Sequence, residues 1–112
     1  MGVSDNRLED NRIENNDFFG LAIIDFCFAL TGSPAPCDPV PNTSGADPVP
    51  RNNEIADNAF VNNGTDPPDH PLAPFAADVI EAVFDPTANN CFEGNAYDTY
   101  VSIGVPGPQQ CL

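Results

Sequence analysis

An asparagine returns every five residues in DNRLEDNRIENNDFFG (5–20), with Asn6, Asn11 and Asn16 on the beat and Leu8, Ile13 and Phe18 two positions after each. A period of five fits neither the 3.6-residue repeat of a helix nor the two-residue alternation of a strand. Written as Asn-x-Φ-x-x-Asn, with Φ apolar, the motif occurs as NRLEDN (6–11), NRIENN (11–16), NEIADN (53–58), NAFVNN (58–63) and NCFEGN (90–95). Asn95-Ala96-Tyr97 begins a further copy. Each cluster precedes a longer apolar segment: GLAIIDFCF (20–28), AADVIEAVF (76–84) and YVSIGV (100–105). The gaps are unequal, 47 positions from Asn11 to Asn58 and 37 from Asn58 to Asn95, because Pro/Gly/Asn/Asp-rich insertions occupy 31–52 and 64–74. Repeats of this length with insertions at fixed places mark a solenoid.

In a coil of short strands joined by tight bends, an inward side chain comes round again only after a corner. The expectation is an all-β fold with Leu8, Ile13 and Phe18 facing in. Asn sits at the bends, where it tolerates left-handed backbone angles. Stacked Asn side chains then bond along the coil axis, giving a ladder of Asn6, Asn11, Asn16, Asn53, Asn58, Asn63, Asn90 and Asn95. The segment 74–86 fits a helix as well, since Asp78, Glu81 and Asp85 share one helical face. Its counterparts tip it to strand.

The net charge is −14, with no lysine and three arginines, Arg7, Arg12 and Arg51. Such a surface repels phosphate backbones and anionic lipid, which excludes nucleic acid and membrane as partners. No apolar run reaches the length of a membrane span, and no secretory leader follows Met1. The four cysteines include no Cys-x-x-Cys, and the single His70 lies in a proline-rich stretch, so zinc is not indicated. Disulfides among Cys27, Cys37, Cys91 and Cys111 have three connectivities on paper, of which local closure favours Cys27–Cys37 and Cys91–Cys111. They imply an oxidising compartment.

The stretches NRIENNDFFGLAIIDFCFAL, NAFVNNGTDPP with AADVIEAVF, and NNCFEGNAYDT with PGPQQC resemble the C-terminal coils of bacterial right-handed parallel β-helix repeat proteins. That architecture is shared by pectate lyases and periplasmic NosD-type proteins. The resemblance runs from about Asn6 to Cys111. It implies one β-helix domain over 1–112, of about three coils, forming the C-terminal part of a longer solenoid and its cap. It implies that Cys91 with Cys111 closes the last loop and that the protein is extracellular or periplasmic. Members are longer and carry a signal peptide, and those with lyase activity build their cleft in coils that precede this part.

No catalytic set emerges. Arg7 and Arg12 stand at outward positions beside Glu9, Asp10 and Glu14; Arg51 lies in an insertion; His70 has no nucleophile near it in sequence. Asp66, Asp69 and Asp78, with Glu81 and Asp85 nearby, are candidate ligands of a low-affinity surface Ca²⁺ site, the sole cofactor indicated. Tyr97 and Tyr100 are the candidate sugar platform, if their rings are exposed. Asn42-Thr43-Ser44 and Asn63-Gly64-Thr65 are formal glycosylation acceptors. Three functions compete: a structural end piece, part of a polysaccharide lyase, hydrolase or epimerase, and a carbohydrate-binding or adhesion module. The partners expected are upstream coils, a second copy meeting the open N-terminal edge around Val3 to Leu8, or a polysaccharide.

Overall fold

The computed structural model describes residues 4–32 and 49–111. Two three-residue strands, β1 (Arg7–Glu9) and β2 (Arg12–Glu14), lead into β3 (Phe19–Ile24) and a short helix, α1 (Phe26–Thr31). The order then repeats with β4 (Glu54–Ala56), β5 (Ala59–Val61) and β6 (Ala77–Val83), the last preceded by a 3-10 turn at Ala73–Phe75. A third pass supplies β7 (Cys91–Glu93) and β8 (Tyr100–Gly104). All pairing between these strands is parallel and joins one pass to the next, as β1-β4-β7, β2-β5 and β3-β6-β8. In the third pass the β2-β5 column continues as one bridge, Ala59 with Ala96. The chain is therefore all-β in character, built from small parallel sheets.

Register follows the sequence motif. Leu8, Ile55 and Phe92 fall in line, as do Ile13 and Phe60. Ile23, Ile55, Phe60, Val79, Val83, Ala88 and Phe92 form the interior cluster, with Leu8, Ile13, Leu21, Tyr97 and Tyr100 packed on it. A second cluster of Phe28, Leu72 and Ala82 draws in Phe18, Phe19, Ile24, Phe75, Phe84 and Ile103. Strand β6 touches both clusters, through Val79 and Val83 on one side and Ala82 on the other, and all seven of its residues are buried. A parallel strand covered on both faces reads as a continuous apolar run, which is why 74–86 fitted strand and helix alike. It is a strand over 77–83.

Three expectations need correction. The segment 20–28 is not one strand. Asp25 stops β3 and caps α1, its Oδ1 accepting the Cys27 N–H at 2.8 Å, and Gly32 closes the helix with φ 68° and an N–H to Phe28 O at 2.8 Å. Phe18 does not face the interior. It lies in the bend before β3, stacked on Phe19 at 3.9 Å, and belongs to the second cluster.

The third correction concerns the corners. The left-handed residue is not the ladder asparagine but the one before it. Asp5, Asp10, Asn15, Asn52, Asp57, Asn62 and Asn89 have φ between 54° and 64°, and Gly94 has 67°. Each immediately precedes one of the eight ladder positions. Asp and Asn tolerate this backbone because their short polar side chains bond locally. At position 94 a Cβ would run into the Asp57 carboxylate, so glycine stands there instead. The insertion 31–52 falls largely outside the described residues.

Candidate functional site

Three columns of side chains tie the passes together. In the first, the backbone N–H and Nδ2 of Asn6 both donate to Asn53 Oδ1 at 3.2 Å, and those of Asn53 donate to Asn90 Oδ1 at 3.1 and 2.8 Å. In the second, Asn11 donates to Asn58 Oδ1 at 3.0 and 3.1 Å, and Asn58 to Asn95 Oδ1 at 2.9 and 3.1 Å. In the third, Asn16 donates to Asn63 Oδ1 at 3.1 and 2.9 Å. The inner amides also reach back to main-chain carbonyls of the preceding pass: Asn58 to Leu8, Asn63 to Ile13, Asn90 to Pro50 and Asn95 to Ile55, at 2.7–2.9 Å. Asn58 is 2% exposed, yet both its amide hydrogens and its oxygen are used. Full satisfaction is what makes burial of such a group tolerable.

The third column ends on a carboxylate. Asp78 Oδ1 accepts from the Asn63 N–H and Nδ2 at 3.0 and 2.9 Å, and its Oδ2 accepts from the Asp98 and Thr99 N–H groups at 2.9 and 3.3 Å. Burial alone would raise its pKa, but these donors outweigh burial and hold it below the ordinary value. Its oxygens are thus committed to N–H groups, and Asp78 is an anchor of the ladder rather than a Ca²⁺ ligand. Asp66 and Asp69 are exposed and do not converge with it. Among the described residues, one group has metal-ligand spacing, Glu54, Glu93 and Cys111, with ligand atoms within 4.8 Å of one another. The Cys111 sulfur there is held in a disulfide, so it is no thiolate.

Beside the anchor lies a second buried acid. Glu81 is 5% exposed on β6, on the same side as the interior residues Val79 and Val83. Its Oε1 accepts the Tyr100 hydroxyl at 2.9 Å. Burial pushes the Glu81 carboxyl above its ordinary value, and the single hydroxyl donor only partly opposes this. The Tyr100 hydroxyl is in turn pushed well up, by burial first and by the neighbouring carboxylate second. The C-terminal tail closes over the pair at Gly107, where an added Cβ would collide with both the Tyr100 hydroxyl and Glu81 Oε1.

This pair and Asp78 have opposite pH dependence. Glu81, raised in the fold, contributes stability fully at pH below the ordinary glutamate range, and this is lost as pH rises through its raised pKa. Asp78, lowered in the fold, contributes above the ordinary aspartate pKa and loses that contribution as pH falls. Thus Glu81→Gln is expected to be more stable than wild type at pH 7, with the difference closing near pH 4. Urea midpoints at the two pH values check this; a variant weaker at pH 7 contradicts it.

The tyrosines do not form an exposed platform. Tyr97 continues the line of Ile13 and Phe60, since Ala59 bridges Ala96, and both Tyr97 and Tyr100 pack on the interior cluster. Tyr100 meets Phe92 edge-on at 5.8 Å and Tyr97 at 5.7 Å. Tyr97 borders a cleft of about 350 Å³ with Glu93 and Gln110. His70 is exposed, accepting the Leu72 N–H at 3.0 Å and lying 5.5 Å from the Phe18 ring. Arg7 pairs with Glu9 and Glu54, Arg12 with Glu14, and Arg51 with Asp85. Two Thr87 donors and then Arg51 lower the Asp85 pKa to about 2. Asn63 is buried in the ladder, so it is no glycosylation acceptor in the folded chain; Asn42 lies outside the described residues.

Cys91 and Cys111 form the expected disulfide, with Cα atoms 4.8 Å apart. Cys27 is also disulfide-bonded; its expected partner, Cys37, lies outside the described residues. Disulfides suit an oxidising environment. Among the described residues no helix is long and apolar enough to cross a membrane. Sequence reasoning missed Asp78 as the end of a column because it follows Asn63 by 15 residues, off the 37-residue spacing of the other two columns. It also missed the Glu81–Tyr100 pair, which no motif links. No protein family, curated protein or solved structure matches this chain.

Proposed function

We propose that these passes are the coils of a parallel β-helix, and that the chain works as its closing end. It is a structural cap of an extracellular or periplasmic protein, without a catalytic set of its own. One observation carries this: the two ends are built differently. Beyond β7 the tail lies across the β7 edge, with the Phe92 N–H donating to Gln109 O at 2.7 Å, a bridge from Phe92 to Gln110, and the Cys91–Cys111 bond behind it. At the other end β1, β2 and β3 are edge strands on the same side of the molecule. Parallel edges invite further pairing, and a cap blocks it. The open end is where upstream coils, or a second copy, would join.

Sedimentation of the Cys91→Ser/Cys111→Ser variant against wild type tests this. With the tail across β7, wild type is expected not to form head-to-tail polymers; with the tail loosened, polymers that grow with concentration are expected. A double variant that sediments like wild type at every concentration contradicts the capping role.

A further inference from the structure

We propose that the N-terminal end is a strand-docking surface for an extended segment of another chain carrying the pattern Asn-acidic-Φ-x-x-Asn. The proposal rests on the β-helix reading and adds the chemistry of the partner. Every ladder oxygen in the second pass, and those of Asn90 and Asn95 in the third, accepts two N–H groups from the asparagine one pass earlier, and Asp78 Oδ1 accepts two from Asn63. The Oδ1 atoms of Asn6, Asn11 and Asn16 hold the same place in the first pass, and none accepts a hydrogen bond from a described residue. Three acceptors at five-residue spacing therefore continue an interface already formed twice within the chain.

Two further features fix what fits. An opening of about 280 Å³ at this end is lined by Leu8, Leu21, Ile23 and Ile55, apolar groups suited to the Φ side chain. Arg7 stands in register with Glu54 and reaches its carboxylate at 3.3 Å. Among the described residues Arg12 pairs only within its own strand, with Glu14, and its side chain is 64% exposed. An incoming strand in the same register sets the residue after each Asn against Arg7 and Arg12, so an acidic residue there is complementary. Main-chain pairing supplies affinity and the alternate side chains supply selectivity, as in strand addition generally. A second copy is a poorer occupant. At its far end the β7 column is covered by Gln109–Cys111, and face to face it sets oxygen against oxygen and arginine against arginine.

The test uses the intact protein and a fluorescein-labelled peptide, NNEIADNAFVNN, the sequence of residues 52–63. Anisotropy is expected to show saturable binding. Affinity should fall about tenfold or more when the peptide's three ladder asparagines are alanine, the loss of several charge-free hydrogen bonds. Glu54→Lys in the peptide, which sets a lysine against Arg7 in this register, should weaken binding without altering the folded protein. Absence of saturable binding up to about 1 mM peptide, a free energy of only about −4 kcal/mol, overturns the proposal, as does equal affinity for the alanine peptide. So does a sedimenting dimer that the peptide cannot dissociate, which assigns the end to a second copy. If the double-serine variant still polymerises while the peptide fails, the capping role stands and this proposal alone falls.

Discussion

Asn58→Leu is expected to cost about 3–5 kcal/mol, a loss large enough to unfold much of a domain whose total stability is of order 5–15 kcal/mol. The side chain sits at the centre of the middle column, where it receives the Asn11 N–H and Nδ2 and donates to Leu8 O and Asn95 Oδ1. Leucine has the same number and branching of side-chain heavy atoms, so no cavity is left and the cost comes chiefly from orphaned donors and acceptors. Stranding several buried polar groups at about 1–3 kcal/mol each reaches the stated range even after relaxation. The comparison is Asn6→Leu, at an exposed position in the first pass, whose Oδ1 has no partner among the described residues. It should cost about 1 kcal/mol. Urea unfolding followed by circular dichroism measures both. Equal losses for the two variants would show that the columns do not bear the load assigned to them.

Loss of the Cys91–Cys111 bond comes second. The two residues are 20 apart in sequence, and releasing a loop of that length from the unfolded ensemble is worth about 3 kcal/mol. The Cys91→Ser/Cys111→Ser variant should lose about that much, and it should lose it first at the tail. The Phe92 N–H to Gln109 O bond is the closing contact, so its amide should exchange fastest relative to wild type. An unchanged urea midpoint would mean that the tail is held by its other contacts, at Gly107 over Glu81 and at the Val105 N–H to Val83 O bond.

The columns were legible in the sequence because their chemistry repeats with their geometry. A corner every five residues forces the same residue type back at the same interval, and Leu8, Ile55 and Phe92 line up as their motif positions require. The left-handed corner was equally visible and was passed over. The residue before each ladder Asn is always Asp, Asn or Gly, the three types that accept positive φ with least strain. Asp25 marked a strand end and a helix cap, but a nine-residue apolar run hid it. Asp78 and Glu81 were visible only as acidic residues in a run that suits helix and strand alike. Their roles depend on contacts to Asn63, Asp98, Thr99 and Tyr100, 15 to 21 residues away, which no local pattern encodes. The tyrosines were misplaced for a related reason. Tyr97 occupies the Φ position of the motif in line with Ile13 and Phe60, and like them it packs on the interior cluster.

Hydrogen exchange at the asparagines tests the ladder most directly. The backbone N–H groups of Asn11, Asn53, Asn58 and Asn63 donate to the next side-chain oxygen of their column, so their slow exchange depends on the columns themselves. Strong protection is expected at these four amides and at the Nδ2 groups of Asn58 and Asn63, lost together in Asn58→Leu for the middle column. Asparagine amides that exchange at the rate of a free chain, in a protein otherwise folded, would contradict it.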